Sequence, residues 1–230
     1  MTQFMSNSLF FGAAISLIAY EVGLLLKRKF KMAIFNPLLI SITAVIAVLC
    51  LLHIDYDTYN QSGQYISYLL TPATVCLAVP LYQQMELLKK NLKAVVIGIV
   101  SGVLASLVSV LILAKLFRLS HEQYVTLLPK SITTAIGMGV SEELGGIVTI
   151  TVAVIIITGV LGNMVAETVI KLAHIEEPIA KGLALGTSSH AIGTAKAMEL
   201  GEIEGAMSSL AIAVAGLLTV VGASVFAQFM

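Results

Sequence analysis

The chain has 230 residues, of which 58% are hydrophobic and 11% charged, with zero net charge and a mean hydropathy of +0.98. Soluble domains carry roughly 45 to 50% apolar and about 25% charged residues, so these values exclude an ordinary soluble domain and define an integral membrane protein. Zero net charge removes any bulk attraction to nucleic acid, and Cys50 and Cys76 sit in apolar segments without metal-ligand spacing, where they read as small buried hydrophobes.

In chain order, residues 8 to 26 form a first apolar stretch that holds Glu21 and is followed by Lys27, Arg28, Lys29 and Lys31. Basic residues after the apolar stretch, not before it, fit a retained first span with a cytoplasmic cluster, toward which Glu21 can snorkel. Asn36 and Pro37 open the second span, Asn36 either as a helix cap or as part of a substrate path. The charge-free runs Met32 to Leu52, Ala94 to Ala114, Ile147 to Ala166 and Gly205 to Met230 each reach the roughly 20 residues that cross about 30 Å of hydrocarbon as helix. Within them Gly98, Gly102 and Ser106 recur every four residues, as do Gly159 and Asn163, a pattern of close helix packing.

Between the plain spans lie segments interrupted by Pro, Gly and hydroxyl residues, at 68–82, 127–146 and 182–201. Proline removes a backbone donor and disfavours helix in the residue before it, so Pro72, Pro80 and Pro129 predict broken elements. Breaks survive in hydrocarbon only where protein or a water-filled cavity surrounds them, so these segments mark an interior site. Sliding the chain on itself by 56 positions lays 135–147 over 191–203 with seven of thirteen residues identical, including Glu143/Glu199, Leu144/Leu200 and Gly145/Gly201. A fainter copy starts near Ala78. Each repeat unit is one interrupted segment plus one plain span. If the interrupted segment crosses, the units are parallel; if it is a re-entrant hairpin, they are inverted. The fold class expected is all-α: a polytopic transmembrane helical protein of about eight membrane elements with internally repeated broken or re-entrant helices. It forms one integral membrane domain, 1–230, with an N-terminal two-helix portion, 1–63, and a repeat region, 64–230.

The polar side chains of the interrupted segments are the candidate site. Lys130 follows Pro129 and precedes Ser131, Thr133, Thr134 and Gly137, so a cation, hydroxyls and free backbone N–H groups can converge on an anion there. A lysine at a helix end also snorkels to the interface, which is the alternative. In the second repeat, Thr187, Ser188, Ser189 and His190 are followed by Gly193 and Thr194, and His190 aligns with Thr134. An intramembrane histidine either carries a proton with a carboxylate or hydrogen-bonds across helices. Thr74 and Lys196 are further candidates, with Lys196 also able to reach the membrane surface. Glu142, Glu143, Glu199, Glu202 and Glu204 read as solvated loop residues. There is no phosphate loop, GxSxG elbow or metal-spaced His/Cys cluster, so neither an enzyme nor a bound cofactor is expected.

The runs "FNPLLIS" (35–41), "PATVCLAVPLY" (72–82), "LLPKSITTAIG" (127–137) and "AKGLALGTSSHAIGTAKAMELG" (180–201), in that order, resemble the LrgB/CidB family of bacterial membrane proteins over essentially the whole chain. The runs at 129–133 and 143–146 look closer to the CidB branch. The resemblance implies a multi-pass protein of the bacterial plasma membrane and two possible activities. Some members are named as holin-like or antiholin-like proteins tied to murein hydrolase control and cell lysis. Others, including a plastid relative, look like carriers of small organic acids such as pyruvate, glycolate or glycerate. A broken-helix site with Lys130 and His190 is what a carboxylate carrier needs, possible with proton coupling, so passage of a small monocarboxylate is the leading expectation. Partners implied are a small organic anion, membrane lipid, further copies of the chain and a small membrane protein of the LrgA/CidA type.

Overall fold

The computed structural model of the protein describes residues 10–30, 32 and 35–230, excepting the side chains of residues 70, 71 and 74. Every regular element among them is helical, and the chain divides into two compact units, Met1–Cys76 and Leu77–Met230.

In the first unit, α1 (Phe11–Phe30) packs against α2 (Pro37–Leu52) and α3 (Tyr56–Ser67), and α4 (Leu70–Cys76) completes it. The close seam between α1 and α3 is polar: Ser62 Oγ accepts from Gly12 N at 2.6 Å, and Ser16 Oγ lies 2.8 Å from Tyr59 Oη. The apolar run 32–52 yields a helix of only 16 residues. Its start is fixed by Asn36, whose side chain accepts from Leu38 N and Leu39 N, with Pro37 following at the first helical position. Its end is set by the left-handed His53, φ 50°. At 1.5 Å per residue it rises about 24 Å, short of a full hydrocarbon core. Cys50 and Cys76 are exposed on the protein surface, not buried.

The second unit begins with two short pieces, α5 (Ala78–Gln83) and α6 (Met85–Lys90); since α4 ends at Cys76, the segment 68–82 is interrupted at Leu77. Three helices among the described residues are long and apolar enough to cross a membrane: α7 (Leu92–Leu116), α10 (Val148–Leu172) and α12 (Glu202–Phe226), the last extended by a 3-10 turn to Phe229. One stripe of α7, Val95, Ile99, Val103, Leu107, Val110 and Ala114, is buried at helical spacing. The opposite face leaves Ile97, Leu104 and Ile112 exposed, as a lipid-facing surface requires. The chain is an all-α polytopic membrane protein.

Between these spans lie two hairpins of half-length helices. The first is α8 (His121–Leu127), a turn at 128–133 and α9 (Thr134–Glu143). The second, α11 (Pro178–Leu200), leaves helical geometry at Ser189 (φ −133°, ψ 17°) and His190 (φ 41°, ψ −138°). The repeat offset of 56 carries 133/134 onto 189/190, so both breaks fall at the same repeat position.

Both interrupted segments double back. A Cβ on Gly193 would lie 2.6 Å from the Leu185 carbonyl oxygen, whereas eight residues of continuous helix rise about 12 Å. A Cβ on Gly137 would lie 3.5 Å from the Pro129 carbonyl oxygen, again eight residues apart. The arms of the first hairpin are pinned by Thr151, whose Oγ1 lies 2.9 Å from the Thr126 carbonyl oxygen and 2.7 Å from Ser141 Oγ. Arms of 7 to 11 residues rise about 10 to 17 Å, roughly half the hydrocarbon thickness.

The hairpins enter from opposite faces. The first arm of the second hairpin runs parallel to α12 from its N-terminal end, with Gly182 against Glu204 and Met207 and Gly186 against Ser208 and Ala211. The first hairpin starts at the other end of α12, where Tyr124 Oη donates to the Phe226 carbonyl oxygen at 2.9 Å and His121 Nδ1 lies 2.8 Å from the Met230 carbonyl oxygen. Each repeat, one hairpin plus one span, is therefore inverted relative to the other.

Candidate functional site

The two hairpin tips reach the same level of two scaffold helices. On α7, Gly102 faces Thr187 of the second hairpin, and one turn further Ser106 Oγ donates to Ser131 Oγ of the first at 3.1 Å. On α10, the Ile155 side chain fills the space beside Gly137 while its carbonyl oxygen accepts from His190 Nε2 at 2.9 Å. Gly102 and Ser106 stand on the middle turns of α7; on α10 Ile155 lies between one and two turns before the middle and Gly159, against His190, at it, so the tips lie near the bilayer midplane.

At the first tip, Lys130 is half-buried and its Nζ donates to Ser131 Oγ at 2.9 Å. No carboxylate pairs with it among the described residues. Thr133 is the N-cap of α9 but its side chain makes no capping bond, and Thr134 opens the helix; both are partly exposed. The first N–H groups of α9 therefore have neither an intrahelical partner nor a side-chain cap. Ser131 and Gly137 are buried.

The second tip is more nearly closed on itself. Thr187 Oγ1 donates to the Leu183 carbonyl oxygen of its own arm at 2.8 Å, and Thr194 Oγ1 lies 2.7 Å from Ser208 Oγ and donates to the His190 carbonyl oxygen at 3.1 Å. Ser189 is buried, Ser188 exposed, and their hydroxyls are 3.0 Å apart. His190 is 3% exposed. Because a carbonyl only accepts, the contact with Ile155 puts a proton on His190 Nε2. Close approach of the turn depends on α10 having no side chain at position 159, where a Cβ would meet His190 Cε1 at 2.6 Å. The break at 189/190 also means that these two residues are not helix neighbours with side chains about 100° apart.

Lys196 lies apart from Lys130 in chemistry. Its Nζ is 2.6 Å from Glu167 Oε1 on α10 and 3.1 Å from Glu199 Oε2, so two carboxylates clamp it along the return arm of the second hairpin. Glu204, expected in solvent, is 8% exposed and folds against Gly201. Near it a pocket of about 430 Å³ opens at the base of the second hairpin, lined among others by Lys171, His174, Lys181 and Leu200. Asn36 caps α2 in the first unit, and Thr74 lies in α4, its side chain outside the described ones.

Ser106, the Ile155 carbonyl and Asn163, whose Nδ2 donates to the Ile192 carbonyl oxygen at 3.0 Å, hold the tips but were not among the sequence candidates. The four-residue spacing of Gly98, Gly102 and Ser106 and of Gly159 and Asn163 marks those helix faces, yet it reads as packing alone.

A pair of opposed, repeat-related re-entrant hairpins between membrane spans defines a polytopic helical membrane protein with inverted repeats. The LrgB-like family model matches residues 16–229, and the chain belongs to that family. It is 40% identical over 221 residues to the antiholin-like protein LrgB of Bacillus mycoides, covering 96% of both chains. It is 39% identical over the same length to proteins of that name in Bacillus cereus and Bacillus anthracis, again with 96% of each chain covered. These relatives carry the LrgB name. No solved structure matches. Family and spans together make this a bacterial membrane protein.

Proposed function

We propose that this chain has the antiholin-like role in lysis control that its relatives' names carry, and that its molecular act is the passage of a small organic monoanion, such as pyruvate, between the hairpin tips. The relatives' names support the first part. The second rests on one observation: a half-buried lysine at mid-membrane that lacks a carboxylate partner among the described residues, in contrast to Lys196, which has two. An ionisable group at such depth is costly unless something pairs with it, and a carboxylate substrate supplies the missing charge. His190, whose Nδ1 is left over, is the group through which proton coupling would run. Small membrane proteins of the LrgA/CidA type and further copies of the chain are the partners the family suggests.

Purified protein in vesicles, with and without an LrgA/CidA-type partner, should take up radiolabelled pyruvate saturably. Leakage of unrelated dyes without saturable uptake would instead favour a pore-linked lysis regulator that carries nothing.

Charge distribution orients the second unit. Lys89, Lys90, Lys93, Lys171 and Lys181 lie toward the base of the second hairpin, against Lys115 and Arg118 at the opposite end. The positive-inside rule places the second hairpin's base in the cytoplasm. In a background lacking Cys50 and Cys76, Arg118→Cys should react with an impermeant maleimide in intact cells, and His174→Cys only after permeabilisation. The reverse pattern would overturn this orientation.

A further inference from the structure

We infer that Ser106, on the unbroken helix α7, is a positioning residue of the first hairpin tip, and that the array it completes selects a singly charged oxyanion; this rests on the carrier reading above. Ser131 Oγ accepts two hydrogen bonds, from Lys130 Nζ at 2.9 Å and from Ser106 Oγ at 3.1 Å. A hydroxyl has two acceptor lone pairs and one proton, so both acceptor positions of Ser131 are filled from the protein. Its own O–H is left as a donor. Ser131 is only 5% exposed, so that proton needs an acceptor.

Further donors stand at this tip. Lys130 retains two N–H bonds beyond the one to Ser131, and the opening amides of α9 lack a side-chain cap. The second tip adds no carboxylate: Thr187 spends its proton on Leu183, and His190 spends its Nε2–H on Ile155. Such a donor-rich array fits a ligand group that only accepts, which is a carboxylate or similar oxyanion. A single cation balances one negative charge, and a second would be left uncompensated at mid-membrane.

Without the Ser106 hydroxyl, one lone pair of Ser131 is vacated and the Ser131 O–H is free to rotate away from the ligand. Ser106 does not itself touch the ligand in this scheme; it fixes the direction of the donor that does.

The test uses the full-length protein in lipid nanodiscs, with radiolabelled pyruvate as probe, and vesicle uptake in parallel. Ser106→Ala should weaken pyruvate binding and raise KM about tenfold, the effect of losing one directed hydrogen bond to a charged ligand, while the maximal rate changes less than about twofold. Ser106→Thr, which keeps the hydroxyl, should restore binding. Unlabelled malonate, a dianion at neutral pH, should displace pyruvate poorly. The inference is overturned if wild type carries pyruvate and Ser106→Ala binds it equally well, if Ser106→Thr is as impaired as the alanine variant, or if malonate competes as well as pyruvate itself. Absence of binding and uptake in wild type would instead remove the carrier reading, and this inference with it.

Discussion

Lys130→Ala is expected to reduce pyruvate uptake in vesicles by about 100-fold while leaving membrane insertion intact. The magnitude follows from the loss of a charge-assisted hydrogen bond, worth roughly 1.5 to 3 kcal/mol, in a setting that screens charge poorly. The sign on stability separates this from a structural role. An ammonium with no carboxylate partner is a cost to the folded protein, so removing it should hold or raise the melting temperature. Lys196→Ala should do the opposite, because it removes the ion pairs by which the return arm of the second hairpin is tied to Glu167 of α10 and to Glu199. Lys130→Arg should not recover full transport, since the guanidinium fork cannot replace a compact donor beside Ser131. Undiminished uptake in Lys130→Ala would take the lysine out of the site. A steep loss of thermal stability in the same variant would make it a structural residue.

The second large effect is expected from Gly186→Leu, which should lower the melting temperature of the purified protein by several degrees and open the second hairpin to protease. A Cβ at 186 would stand 2.6 Å from the Ser208 carbonyl oxygen and 2.7 Å from Ala211 Cβ. Neither is the free end of a flexible side chain, so the first arm must move off α12. Overpacking of this kind costs about 1 to 3 kcal/mol. Gly139→Leu is the matched control. Nothing lies within 4 Å of its Cβ position, and the exchange there gains helix propensity, so it should be neutral or slightly stabilising. Equal behaviour of the two variants would mean that the contact between hairpin and span is looser than the geometry gives.

Much of the second unit was legible because its signals are local. The charge-free runs at 94–114, 147–166 and 205–230 locate α7, α10 and α12 to within a few residues, and the 56-residue repeat locates both breaks. Whether an interrupted segment crosses or returns was not legible. The residues of an arm are equally apolar in either case, and the direction after Ser189 and His190 is decided by contacts with remote partners such as Ile155, Gly159 and Asn163. The length of α2 was misjudged from its apolar run, because Asn36 and His53 set its ends and hydropathy does not report caps. At the candidate site, residue type singled out Lys130 and its neighbours. Ser106 was not singled out, because a serine four residues after a glycine looks like packing until the Ser131 hydroxyl is seen opposite it.

The half-span hairpins have a consequence for ancestry and for division of labour. A unit made of one hairpin and one span makes a single net crossing, so a tandem copy of the same gene segment is inserted upside down without any further adjustment. The divergence is visible at one matched position: Lys196, clamped by two carboxylates on the second hairpin, corresponds to buried Val140 on the first. The second hairpin is thus tied down in part by ion pairs and the first by packing and hydroxyls, so salt or a change of charge at the base acts on the second.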